Sequence, residues 1–495
     1  MRSSWFVIPV AAALLAVGCG GDDGGGGSAG PADGDGTVPA GNAENCPVDA
    51  LESATGKVEI DAWYAFQGLA AQSFEQMVAD YNASQDKVVV KAANQGSYEE
   101  QLAKYKTALG KPETLPELVT AEDTNTRFLV DSNSIVTAED CLAADPEAAA
   151  LYEDLVPAVR AAYTVDEQLL PVGFAVSNPV LYFNQAHFRA AGLDVEQPPA
   201  TLAELRETAQ KLKDAGIDGL EQPLVMQMDS WFLEHWLTGE RQAVVDQDNG
   251  RSGPPTATEL TSPEAVEIVT WIKEMVDAGL LKPVRSNEDI SAYLAVATQS
   301  GSMLIQTSAA ISTIDAAISG TLTKDMLPQA GDLPLESLKF SDLEIGVAPL
   351  PGVEVAGKGQ IGGNAWYLPK KEPVEIAAAW DFAKYANSVE AQVRWTQLGG
   401  YLPSHRTVAE DPRLTADWEN TRKGGWLKIA YEGTLSLDPE FTGPLIGAYA
   451  AFRTEARSAL DAVALQGADP ATALQTAADK VATAFAEYRE NPGQS

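Results

Sequence analysis

The chain has 495 residues, 45% of them apolar, with 34 Lys and Arg against 70 Asp and Glu for a formal charge of −36. That length and composition predict two or three domains with real cores and exclude a fibrous or wholly disordered chain. The charge repels polyphosphates at a distance and argues against nucleic acid or an anionic lipid surface as partner; solubility is its plainer meaning.

Arg2 is the sole charge ahead of an apolar run from Trp5 to Val17, which is too short to span a bilayer and fits a secretory signal. The run ends on Gly18-Cys19, which resembles the lipobox of bacterial lipoproteins, with Ala16 where leucine is commoner. We expect a signal peptide over residues 1–18, diacylation of Cys19 and attachment to an outer membrane face, because two acyl chains hold where one would not. A plain signal peptide with a structural cysteine is the alternative. From Gly20 to about Asn45 the chain is rich in Gly, Asp, Ser, Pro and Ala, a flexible coil of roughly 25 to 30 Å reach; residues 19–56 are thus lipidated cysteine and tether. Cys46 and Cys141 remain, and an exported pair is expected to form a disulfide that pins the end of the tether to the first folded unit. Two partly buried thiols are the alternative.

"KVEIDAWYAF" (Lys57–Phe66) alternates and is rich in β-formers, the next stretch has apolar residues at helical spacing, and "KVVVKAANQ" is a strand again. A helix over Tyr98–Leu109, a short strand "ELVTA" and a helix from about Asn125 continue the alternation. Alternating elements predict a parallel sheet covered by helices, whose ligands bind outside the carboxyl ends of the strands. The pattern restarts with a helix over Thr201–Ala215, opened by a Thr-x-x-Glu signal at Thr201 and Glu204. A second α/β unit follows, with a helix near Trp231, another over Pro263–Ala278 and the segment "GSMLIQTSAAIST". Helical stretches at Val374–Leu398 and Tyr449–Glu490 close the chain.

Catalytic signatures are absent: there is no Gly-x-Ser-x-Gly, His-Glu-x-x-His or P-loop, and His187, His235 and His405 are the three histidines. Gly357, Gly359 and Gly362 match Gly-x-Gly-x-x-Gly but open onto a predicted strand, not the helix that a dinucleotide site needs. "DQDNGRSG" starts like a calcium loop at Asp246 and Asp248, yet Gly250 falls at position five and Ala257 where the bidentate Glu belongs. No metal or cofactor is expected. Glu122 and Asp123 could suggest a glycosidase pair, but neighbours on an extended stretch point apart. A hydrogen-bonding role for one of them, or a plain helix-entry carboxylate, fits better.

"SNPVLYFNQAHFRAAGLDVEQPPATLAEL" (Ser177–Leu205) resembles the extracellular solute-binding proteins of ABC importers, and "IGGNAWYLP", the Ala-rich helix after it and "GGYLP" extend the likeness. It covers nearly everything from Lys57 onward. The resemblance implies a non-enzymatic, two-lobe, type II periplasmic-binding-protein-like α/β fold, with mixed sheets flanked by helices and the ligand cleft between the lobes. Lobe 1 would take residues 57–175 and 308–385, and lobe 2 residues 176–307 and 386–495. It also implies an extracytoplasmic monomer that delivers solute to an ABC permease and meets the membrane through its lipid alone.

Within that superfamily the chain is similar to the group that binds sn-glycerol-3-phosphate and glycerophosphodiesters. Carried over, the ligand residues would be Tyr98, Asp123, Ser177, Trp231, Ser308, Gly363, Tyr401 and Arg453. Met228 stands three residues before Trp231, where some members have a second tryptophan, and its thioether would leave room for a larger diester such as glycerophosphocholine. The chemistry agrees: Arg453 offers a fork for phosphate, Gly363 an approachable amide, and the Tyr and Ser residues hydroxyls. Asp123 suits glycerol hydroxyls, and Trp231 offers choline a cation–π face. An oligosaccharide receptor is the alternative function, and a secreted glycerophosphodiester hydrolase a remote third.

Overall fold

The computed structural model describes residues 41–166, 168–327, 331 and 343–493; the leader, Cys19 and the tether up to residue 40 lie outside the described residues. Thirteen strands run among them: β1 Val58–Tyr64, β2 Val88–Asn94, β3 Leu118–Glu122, β4 Ile135–Val136, β5 Thr164–Val165, β6 Gln168–Leu169, β7 Val172–Ser177, β8 Pro179–Asn184, β9 Gln222–Met228, β10 Leu281–Arg285, β11 Gly301–Thr307, β12 Ile345–Pro349 and β13 Gly362–Pro369.

The first sheet has the order β2-β1-β3-β13-β4, with β7 also on β13, and the second has β10-β9-β11-β8-β12. In each, the strands that alternate with helices are parallel (β1 with β2 and β3, β9 with β10 and β11) and the returning strands are antiparallel. Helix-linked strands must run parallel, whereas β7, β8, β12 and β13 carry the chain between the sheets and enter from the other side. The passage is tight: Ser177 ends β7 in one sheet, Pro179 begins β8 in the other, and Asn178 alone joins them.

The sheets pack through strand alternation. On β8, Val180 and Tyr182 join the apolar cluster around the first sheet, while Leu181 and Phe183 join the one formed with the C-terminal helices. Those helices, Tyr449–Gln466 and Pro470–Glu490, turn at Gly467, whose φ of +73° is the left-handed C-cap that lets the chain reverse.

The helix expected over Tyr98–Leu109 occupies those residues, with Ser97 as N-cap. Thr201 caps Leu202–Asp214 by accepting from the Glu204 amide, while the Glu204 carboxylate reaches the amide of Ala200. The stretch expected at 374–398 is two helices, Pro373–Ala386 and Val389–Gly399, broken at Asn387.

The expected lobe limits meet two departures. β12, from the segment assigned to lobe 1, pairs with β8 in the second sheet. Trp395, from the segment assigned to lobe 2, stacks on Phe174 of β7 in the first. A fully buried indole sets the second of these; the chain crosses between the sheets more often than motif spacing alone indicates.

Cys46 and Cys141 form the expected disulfide, with both residues buried. Asp140 beside it accepts from the Asn42 amide at 2.7 Å and Asn45 Nδ2 at 3.2 Å, so the first described residues are fastened to the helix Ala138–Ala144.

Candidate functional site

The parallel strands of both sheets end around one cavity of about 900 Å3, measured out to open solvent. β3 ends at Glu122 with Asp123 next, Gln227 stands one residue before the end of β9, Ser286 follows β10, β11 ends in Gln306 and Thr307, and all of these residues line it. This is where open α/β sheets place their ligands.

Seven of the nine residues expected to bind ligand line this cavity, Tyr98, Asp123, Ser177, Trp231, Gly363 and Tyr401 among them. Arg453 is the seventh. Tyr401 is set by aromatic packing: its ring stacks on Trp395 at 5.3 Å, its edge meets Phe66 at 5.7 Å, and its hydroxyl lies 3.3 Å from that of Tyr98. Asn364 donates to the Tyr98 hydroxyl at 3.1 Å. Trp231 opens the helix Ser230–Gly239, its amide bonded to the N-cap Asp229 at 2.9 Å and its ring 4.5 Å from His235. A Cβ on Gly362 would fall 2.8 Å from that indole, and one on Gly363, at φ +124°, would strike the carbonyl oxygen of Ala175. Both positions therefore need glycine.

Met228 and Ser308 do not join them. Met228 is wholly buried in the apolar cluster of the second sheet, because alternation along β9 turns Gln227 to the cavity and its neighbour away. The expectation that Met228 governs room beside the ligand is thereby corrected. Ser308 is also fully buried; its Oγ accepts from the Asn178 amide at 3.1 Å, and its own amide donates to the Asn178 carbonyl at 2.8 Å. It clasps the crossover between the sheets instead of facing solute.

Arg453 reaches the cavity, but its fork is engaged. Nε and Nη2 donate to Glu234 at 3.3 and 3.1 Å, and its guanidinium lies 5.1 Å from the Tyr449 ring. Burial works against the charge of both partners, and each outweighs that for the other: Glu234 is held below the usual carboxylate range and Arg453 well above its usual value. One turn on, Arg457 lies 2.9 Å from Asp229 and also lines the cavity. Sequence reasoning missed Arg457, although its i+4 spacing from Arg453 on a helix was visible. Gln227, Asp229, Gln306 and Asn364 were missed as well; strand parity could have found the glutamines.

The wall also carries Glu99, Glu122 and Asp123. Burial pushes the carboxyls of Glu122 and Asp123 up to about 7, with Arg453 as the main opposing influence. The site thus offers two guanidiniums, several carboxyls, five hydroxyls, three side-chain amides and one indole face, arranged between two sheets joined by crossover strands.

This is the architecture of a two-lobed, type II solute receptor. A sequence profile of the bacterial extracellular solute-binding proteins matches residues 76–422, and the chain belongs to that family. It is 25% identical over 439 residues to the sn-glycerol-3-phosphate-binding periplasmic protein UgpB of Salmonella typhimurium, covering 85% of this chain and 91% of that one. The protein of the same name from Escherichia coli K12 is 24% identical over 442 residues, covering 87% and 93%. Among solved structures, UgpB from Mycobacterium tuberculosis in complex with glycerophosphocholine superposes with a TM-score of 0.68 at 16% identity, over 88% of this chain and 100% of that one. The cyclic alpha-maltosyl-1,6-maltose binding protein from Arthrobacter globiformis gives 0.64 at 21%, over 87% and 100%.

Proposed function

We propose that the protein is the receptor of an ABC importer for a glycerol phosphate compound, with a glycerophosphodiester as the preferred solute. It holds the solute between its lobes without transforming it and passes it to the permease as a monomer tethered by lipid on Cys19. The observation that carries this reading is the pairing of Arg453 and Arg457, one turn apart on a helix, in the wall of a cavity that Gly363, Tyr98 and Tyr401 also line. Guanidiniums and backbone amides are the usual reading groups for phosphate. The sn-glycerol-3-phosphate-binding relatives and the UgpB structure with glycerophosphocholine support it, whereas the Arthrobacter neighbour is a maltosyl-maltose binding protein.

The carboxyls favour a diester. Glu99, Glu122, Asp123 and Asp229 outnumber the two arginines around the cavity, so a phosphate monoanion meets less repulsion than the dianion of a monoester. Asp123 would accept from glycerol hydroxyls, Ser177 would donate to the ligand, and the Trp231 face would suit a choline head group. Solute binding both lobes would pull them toward closure by its differential affinity. An oligosaccharide is the second reading, favoured by that carboxyl-rich wall beside Trp231, Tyr98 and Tyr401.

Calorimetric titration with glycerophosphocholine, glycerol-3-phosphate and maltose separates them. Tightest binding of glycerophosphocholine is expected. Binding of maltose with neither phosphate compound would replace the proposal with the oligosaccharide reading.

A further inference from the structure

A second cavity, of about 1770 Å3 measured out to solvent, adjoins the first and shares Tyr98, Glu99, Ser286, Thr307, Tyr401 and Arg457 with it. Arg453 lines the first cavity and not the second; Arg457 lines both. In a phosphodiester the phosphate stands between two alcohols, so the cation that reads it belongs at a junction and not at an end.

The two guanidiniums also differ in what they have left to give. Arg453 has Nε and Nη2 committed to Glu234, a carboxylate 1% exposed. The Arg457 side chain is 29% exposed, its nearest carboxylate is Asp229 at 2.9 Å from Nη2, and its Nε is buried with no hydrogen-bond partner. A buried N–H without a partner costs free energy that a ligand acceptor would recover. Asp229 is itself divided, since its Oδ1 accepts from the Trp231 amide as the N-cap of that helix.

We propose that Arg457 is the residue that takes the ligand's phosphate, with Asp229 as the internal anion that the phosphate displaces, while Arg453 stays on Glu234 and supplies field and shape. The glycerol end then lies in the first cavity, by Asp123 and Trp231. The head group lies among Ser97, Asn287 and Thr313 of the second cavity. This rests on the phosphate reading above and adds to it which arginine reads and which way the diester points.

The test is calorimetric titration of glycerophosphocholine into the parent and three variants. Arg457→Gln should weaken binding by about tenfold or more, and Arg457→Lys should recover part, keeping a charge without the fork. Asp229→Asn should tighten it by about threefold or more, because asparagine still caps the helix but no longer competes for the guanidinium. A parent that binds the diester while Arg457→Gln binds it equally well overturns the role of Arg457 and leaves the receptor reading standing. Weaker binding by Asp229→Asn would count against the competition. A parent that binds neither glycerophosphocholine nor glycerol-3-phosphate overturns the phosphate reading, and this assignment with it.

Discussion

Glu234 holds Arg453 from behind: one carboxylate accepts Nε and Nη2 of the guanidinium, the Tyr449 hydroxyl at 2.8 Å and the Ser230 hydroxyl at 3.0 Å. The helix Ser230–Gly239 and the helix Tyr449–Gln466 are thereby tied together beside the cavity, and the bonds to Glu234 fix the position of Arg453 in its wall.

Arg453→Ala should therefore cost stability as well as binding. It leaves Glu234 buried and unpaired, a loss of about 3 to 5 kcal/mol. Adding Glu234→Gln should return a large part of it, since the orphaned charge goes. Chemical denaturation of both variants measures this, and a loss below about 1 kcal/mol in Arg453→Ala would contradict a buried, committed pair.

The Glu122 and Asp123 carboxyls predict a falling stability as pH rises. Burial lifts both to about 7, whereas the unfolded chain releases these protons near pH 4. Between those values the folded state binds more protons, so the stabilisation is full below about pH 4, declines toward pH 7 and then levels. Glu122→Gln should gain stability over the parent at pH 8 and little at pH 4. Urea denaturation across that range checks it; a difference independent of pH would show that Glu122 does not hold its proton.

Anion binding should follow the same protons. As pH falls from 8 to 6 the wall loses negative charge, and glycerophosphocholine should bind more tightly, with net proton uptake. Titrations in buffers of different ionisation enthalpy count those protons, and zero uptake at pH 7 would rule the linkage out.

Removing the Cys46–Cys141 bond closes no cavity but frees the start of the fold. The bond spans 95 residues, and its loss, by paired Cys→Ser substitution, should cost about 2 to 5 kcal/mol. Melting curves with and without reductant report it, while solute affinity should change little because neither cysteine lines the cleft. An unchanged melting temperature would mean that Asp140 and its two asparagine partners suffice to hold the segment.

Gly363→Ala should fail locally. At φ +124° with a carbonyl oxygen 1.8 Å from the new Cβ, β13 must shift off β7, at a cost of about 1 to 3 kcal/mol for the backbone alone. Both melting temperature and solute affinity should fall, and a variant equal to the parent in both would remove Gly363 from the site.

The alternation of strands and helices was legible because period-2 and period-3.6 patterns are local, and so was the placing of the cleft at strand ends. What stayed hidden depends on partners far along the chain. The fork of Arg453 looked available because Glu234, its partner, lies 219 residues away. Ser308 looked like a ligand hydroxyl because nothing near it in sequence announces the Asn178 amide that it caps. Met228 differs: likeness to members with a second tryptophan three residues before Trp231 points to it, but strand alternation at the end of β9 sends Gln227, not Met228, to the cavity.

A crystal structure of the protein with glycerophosphocholine tests the central claim most directly. The account predicts the phosphate between the two lobes, in hydrogen-bond contact with Arg457 and near the Gly363 backbone, glycerol toward Asp123 and choline in the second cavity. A phosphate turned to solvent, or a ligand seated away from both arginines, would contradict it.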